Sequence, residues 1–113
     1  QAGGIDFDAD SPNYTIEHVL PQSPEAGWDA FNDRDLETFV YRLANMAMLE
    51  AGKNKDIGNR PYAEKRPVLL QSSLHLTKKL AEDNDDWLPE RLAARQRQLA
   101  NLATTVWRIA QLS

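Results

Sequence analysis

His18 stands directly after Glu17 and three residues before Pro21, and this pairing of imidazole and carboxylate is the first place in the sequence where chemistry can be read. A histidine titrates near neutrality and suits general-base work, and a carboxylate beside it can hold a hard cation. Neighbours on an ideal strand point to opposite faces. The two residues therefore serve one site only where the strand twists or breaks, and Pro21 and Pro24 offer such a break. The second histidine, His75, lies between Leu74 and Leu76 and reads as packed or half-exposed. Further polar groups follow at Asn45, Asn54 and Asn59, interleaved with Lys53, Lys55, Arg60 and Lys65. Asn45 falls inside the apolar run Leu43 to Leu49, where an amide costs stability unless it is hydrogen-bonded. Asn59, after Gly58, reads as turn chemistry.

These residues need elements to hold them. Residues 13–20 are rich in β-branched and aromatic types and predict a short strand ended by Pro21. Ser23 and Pro24 resemble an N-cap and first-turn proline, predicting a short helix through Trp28 and Phe31. Leu36, Phe39, Val40 and Leu43 form one helical face, with Asp33 or Asp35 as its cap. The run Asn45 to Glu50 reads equally as a buried strand or a helix end, and Lys53 to Asn59 has room for one or two helical turns. A helix is expected from Pro61, with Pro67 either interrupting it or opening a second one. Another apolar face is expected at Leu74, Thr77, Leu80 and Ala81, and a solvated turn at residues 83–86. The clearest helix starts at Pro89 and carries Leu92, Leu99, Leu102, Val106 and Ile109 at helical spacing. Trp28, Trp87 and Trp107 read as core or helix-packing residues. The sum is a mostly helical α+β domain over residues 13–113. Residues 1–12, Gly- and Asp-rich and without an initiator Met, read as a linker or the cut edge of a longer protein.

In their order, Glu17-His18-Val19-Leu20-Pro21-Gln22, Leu43-Ala44-Asn45-Met46-Ala47-Met48-Leu49, Asn54, Asn59, Pro61-Tyr62 and Lys65 resemble the C-terminal nuclease domain of GmrSD-type restriction endonucleases. That family shows a Glu-His-x-x-Pro-Gln element, a Leu-Gly-Asn-Leu-Thr-Leu-Leu element, spaced asparagines, an Asn-x-Pro-Phe-like step and a lysine. Its tail is similar to Trp87, Leu92, Arg95, Leu99 and Trp107 here. Ala44 departs from the usual glycine, and Met46-Ala47-Met48 from Leu-Thr-Leu. The resemblance implies an HNH-like ββα-metal core with a short β-ribbon and additional packed helices. It implies a metal-dependent DNA endonuclease or nickase of a bacterial anti-phage restriction system, cutting phosphodiester bonds to a 5′-phosphate and a 3′-hydroxyl. His18 would be the general base and Asn45 would orient its loop. Glu17 and Asn54 would ligate Mg²⁺ or Mn²⁺, with Asn59 the other candidate for the second ligand. Lys53, Lys55, Asn59, Arg60 and Lys65 would meet DNA phosphates. A partner is implied too, an N-terminal nucleotide-hydrolysing and modification-sensing domain. The alternative is a catalytically inactive relative that docks DNA or protein. The active reading expects His18, Asn45 and Asn54 in one cleft, with Glu17 in reach.

Composition bounds these expectations. The 113 residues contain no cysteine, which excludes a disulfide scaffold and any cysteine-liganded zinc site and fits a reducing, cytoplasmic setting. No apolar run is long enough for a membrane helix, and no signal-peptide pattern appears. The net charge of −4 argues against nucleic acid until it is divided by position: residues 1–50 carry −8 and residues 51–113 carry +4. Lys53, Lys55, Arg60, Lys65 and Arg66 concentrate basic charge around the asparagines and predict a basic surface beside the site.

Overall fold

A computed structural model describes residues 13–53 and 57–112. Asn54, Lys55 and the proposed linker at residues 1–12 lie outside the described residues. Two strands, β1 (Tyr14–His18) and β2 (Met46–Glu50), pair antiparallel, with Tyr14 opposite Glu50 and His18 opposite Met46. The run after Asn45 is therefore a strand, preceded by one 3₁₀ turn at Leu43–Asn45. Alternation sets which side faces inward: Glu17 lies opposite Ala47 and both are buried, as is Leu49, while Ile16 on the other face is exposed.

The 27-residue excursion between the strands contains helix α1 (Asp33–Phe39). Its cap is Asn32, in a reciprocal capping box with Asp35, rather than Asp33 or Asp35 themselves. The helix ends before Leu43, so that residue falls in the 3₁₀ turn and is exposed instead of completing the apolar face. The helix expected from Ser23 through Phe31 does not form. Gly27 there has φ +96°, which no right-handed helix accommodates, and the chain runs through turns that still bury Trp28 and Phe31.

Three helices complete the domain: α2 (Tyr62–Leu70), α3 (His75–Asp83) and α4 (Pro89–Leu112). Pro67 lies inside α2, and Tyr62, Lys65 and Leu69 form its buried face. In α3, Thr77, Leu80 and Ala81 are buried, and the Thr77 hydroxyl donates to the Met48 carbonyl at 2.6 Å, tying α3 to β2. The first part of α4 packs through Leu92. Beyond Leu99 the helix leaves the body, and Trp107, expected as a core or helix-packing residue, is 66% exposed. The core joins Val19, Leu20, Leu49, Leu69, Trp87 and Leu92 among others.

Candidate active site

A depression of about 350 Å³ opens where β1 ends, walled by Glu17, His18, the Pro21–Ser23 turn, Gly58 and Asn59. Glu17 and His18 point to opposite faces of the ribbon, yet both line it because the strand stops at His18. The half-buried imidazole meets the edge of Tyr41, with ring centroids 5.9 Å apart. Tyr41 is a neighbour that no sequence signal marked.

The backbone just after His18 is held from beneath by two residues. Asn45 is fully buried, and every hydrogen-bonding capacity of its amide is used. Its Oδ1 accepts from Leu20 N–H at 2.8 Å and from Trp87 Nε1 at 3.1 Å. Its Nδ2 donates to the carbonyls of Leu20 at 2.9 Å and Val40 at 3.0 Å. The Asn45 carbonyl also accepts from Val19 N–H at 2.9 Å. An amide in an apolar run is tolerated here because none of its polar atoms is left unpaired. From the other side, α4 fixes the turn that carries Asn45. Gln96 accepts from Ala44 N–H at 3.0 Å, and Arg95 donates to the carbonyls of Ala44 at 2.7 Å and Met46 at 3.2 Å. Arg95 thus pairs with carbonyl dipoles, and burial lowers the pKa of its guanidinium.

Lys65 is the second hold. Expected at the surface as a phosphate contact, it has no exposed area at all. Its Nζ donates to the carbonyls of His18 at 3.1 Å and Val19 at 3.0 Å and to Glu17 Oε1 at 3.2 Å, and lies 5.6 Å from the centre of the Trp28 ring. Its position on the inward face of α2, three residues from Tyr62 and four from Leu69, explains the burial. Burial raises the Glu17 pKa and the Lys65 charge opposes that rise; burial lowers the Lys65 pKa and Glu17 opposes that in turn.

Glu17 keeps one oxygen uncommitted: Oε2 is buried and has no hydrogen-bond partner. A buried carboxylate oxygen without a donor is costly alone and suits a cation. With Asn59 on the same wall, the donor set is hard oxygen, which fits a magnesium-type ion that keeps several waters. Among the described residues no three His, Cys, Asp or Glu side chains gather to hold a metal ion.

The other expected phosphate contacts divide. Asn59 and Arg60 are exposed beside the depression, and the Asn59 carbonyl accepts from Trp28 Nε1 at 3.4 Å. Lys53 instead pairs with Glu50 at 2.7 Å and donates to the Gln71 carbonyl at 3.2 Å, at the end of the ribbon remote from His18. Arg66 donates to the carbonyls of Ala81 and Asn84. Of the five basic residues clustered in sequence, Lys53, Lys65 and Arg66 are engaged with other protein groups, Lys65 in the interior and Lys53 at the surface, so the cluster does not become a basic patch of five. Lys65, Arg66 and Arg95 on the helices satisfy carbonyls, a role that net charge cannot reveal.

The family model of the C-terminal domain of GmrSD restriction endonucleases matches residues 2–102. The chain belongs to that family. The match takes in most of the segment read as a linker and stops where α4 leaves the body. Neither curated proteins nor solved structures gave a match. As a GmrSD C-terminal domain, the chain has a restriction-endonuclease-related role. Among the described residues no helix is long and apolar enough to cross a membrane.

Proposed function

We propose that this domain is the DNA-cutting unit of its restriction system and that the depression at the end of β1 is where a phosphodiester is hydrolysed. The observation that carries the reading is the meeting of Glu17, His18 and Asn59 on one wall, with the Glu17 Oε2 oxygen left without a partner. His18 accepts the proton of the attacking water; the new P–O bond forms as the bond to the 3′ oxygen breaks, and that oxygen takes a proton from solvent, leaving a 5′-phosphate and a 3′-hydroxyl. Asn45 and Lys65 hold the main chain of residues 18–20 so that the imidazole stays aimed. Glu17, with Asn59 or Asn54, would hold Mg²⁺ or Mn²⁺. A cation so bound neutralises charge on the phosphate and the leaving oxygen. Arg60, exposed next to Asn59, is the candidate phosphate contact. The antiparallel pairing of β1 with β2, with α2 later in the chain, supports an HNH-like core.

Supercoiled-plasmid cleavage with Mg²⁺ or Mn²⁺, comparing wild type with His18→Ala, tests this reading. Loss of cleavage by at least about a hundredfold is expected, the range for removal of a general base. Equal activity in the two proteins defeats it. A second reading, a domain that docks DNA without cutting it, draws support from the commitment of Glu17 Oε1 to Lys65 and the sparse donor set. It predicts salt-dependent DNA binding that needs no metal and leads to no cleavage by the wild type.

A further inference from the structure

The face of α4 that packs on the body continues as an apolar stripe after the body ends. Arg95 and Leu99 lie against the domain, and Leu102, Val106 and Ile109 follow on the same side at 53%, 58% and 60% exposure. Beside Leu99 a groove of about 470 Å³ runs over the outer face of the ribbon, lined by Ile16, Leu43, Met46, Met48 and Leu76. Of its three polar members, Thr77 bonds the Met48 carbonyl and Arg95 bonds those of Ala44 and Met46, leaving the exposed His75 at the rim of an otherwise aliphatic lining. The groove therefore suits an apolar occupant. A smaller hollow lies between groove and stripe, where Leu76, Leu99 and Leu102 meet the polar Lys79, Asp83 and Gln98. Exposed apolar surface gathered at groove and stripe, rimmed by polar residues, marks an interaction site.

We propose that a second copy of this chain covers that surface, by antiparallel pairing of the two α4 helices about Leu102. The positions are self-complementary, as a two-fold interface requires. Leu99 and Val106 lie three before and four after Leu102, and Arg95 and Ile109 seven before and seven after. Antiparallel pairing sets each copy's Val106 beside the other's Leu99 and carries each Ile109 into the other's groove. Leu102, Val106 and Ile109 on the stripe and Ile16, Leu43 and Leu76 at the groove are all more than half exposed. At roughly 100 Å² each they offer about 600 Å² per copy, the lower end of a standard interface. The groove shares only Ile16 with the depression at His18, and the pairing does not depend on the function of that depression.

Light scattering of the 113-residue chain across the micromolar range reads the answer. Expected is a concentration-dependent species of twice 12.8 kDa. Leu102→Glu on the stripe and Leu76→Glu at the groove each weaken association by at least about tenfold. Thr104→Glu, on the opposite side of α4, leaves it intact. All three sites are exposed, so helical circular dichroism stays unchanged. Because the chain has no cysteine, Leu102→Cys alone becomes disulfide-linked to its own copy under mild oxidation. A wild-type mass of 12.8 kDa throughout, or a dimer that both Glu variants leave untouched, overturns the proposal.

Discussion

Lys65→Met keeps the unbranched stem that fills the interior beside Trp28 and removes only the ammonium. The Glu17 carboxylate then stays buried without its counter-charge, and the carbonyls of His18 and Val19 lose their donor. Breaking a buried pair from one side costs about 3–5 kcal/mol, because the surviving charge remains desolvated. Domains of this size have only about 5–15 kcal/mol in hand. With a urea slope of about 2 kcal/mol per molar, the midpoint falls by about 2 M. Adding Glu17→Gln to Lys65→Met removes the stranded charge, so the double variant recovers part of the loss and the two changes are not additive. Urea titration of the four proteins, followed by tryptophan fluorescence, measures the cycle. A Lys65→Met midpoint at the wild-type value, or strict additivity, refutes the role assigned to the buried ammonium.

Asn45→Ala strands the Leu20 N–H and carbonyl, the Val40 carbonyl and Trp87 Nε1–H together, and a loss of about 3–5 kcal/mol is expected in thermal or urea unfolding. A loss below about 1 kcal/mol, the size of one ordinary hydrogen bond, contradicts the four-bond account. Tyr62 donates to the Asn84 carbonyl at 2.6 Å, and burial pushes its phenol up from 10.0 to about 12. Unfolded tyrosine ionises first, so the stabilisation from Tyr62 is complete below pH 10 and disappears as pH passes about 12. The stability gap between wild type and Tyr62→Phe should close by about 2–3 kcal/mol over that window, and parallel alkaline limbs would show the phenol unshifted. Gly27→Ala introduces a Cβ 2.8 Å from Pro61 Cβ and Cγ at a φ of +96°. Urea unfolding should register a loss of about 1–3 kcal/mol, against no change if the turn can relax.

Much of the architecture is legible in local pattern. The α3 face at Leu74, Thr77, Leu80 and Ala81 and the helix from Pro89 follow directly from 3.6-residue spacing. The Ser23–Pro24 start signal fails because Gly27, four residues after Ser23, has φ +96° with Pro61 packed where a side chain would stand. Leu102, Val106 and Ile109 have helical spacing, but a stripe of correct period does not say whether anything covers it. Around the depression, the apolar neighbours of Asn45 signal an amide that must be bonded. Its partner Trp87 is 42 residues away and leaves no trace in local sequence. Lys65 is the sharpest divergence: a lysine amid Arg60 and Arg66 looks solvated, and only its register with Tyr62 and Leu69 marks it as inward. That register is visible in the sequence, whereas the carbonyls it meets are brought by the end of a strand 46 and 47 residues earlier.

Asn45 and Lys65 grip residues 18–20 almost wholly through peptide N–H and C=O groups, which every amino acid except proline supplies in full. The seat of the imidazole is therefore indifferent to what side chain occupies it. Exchange of His18 leaves the seat standing, and an imidazole molecule added from solution has a preformed place to enter. Scaffold and side chain are separable at this position, so under the proposed role of His18 reactivity would be lost, restored or replaced there while the framework beneath it stays the same.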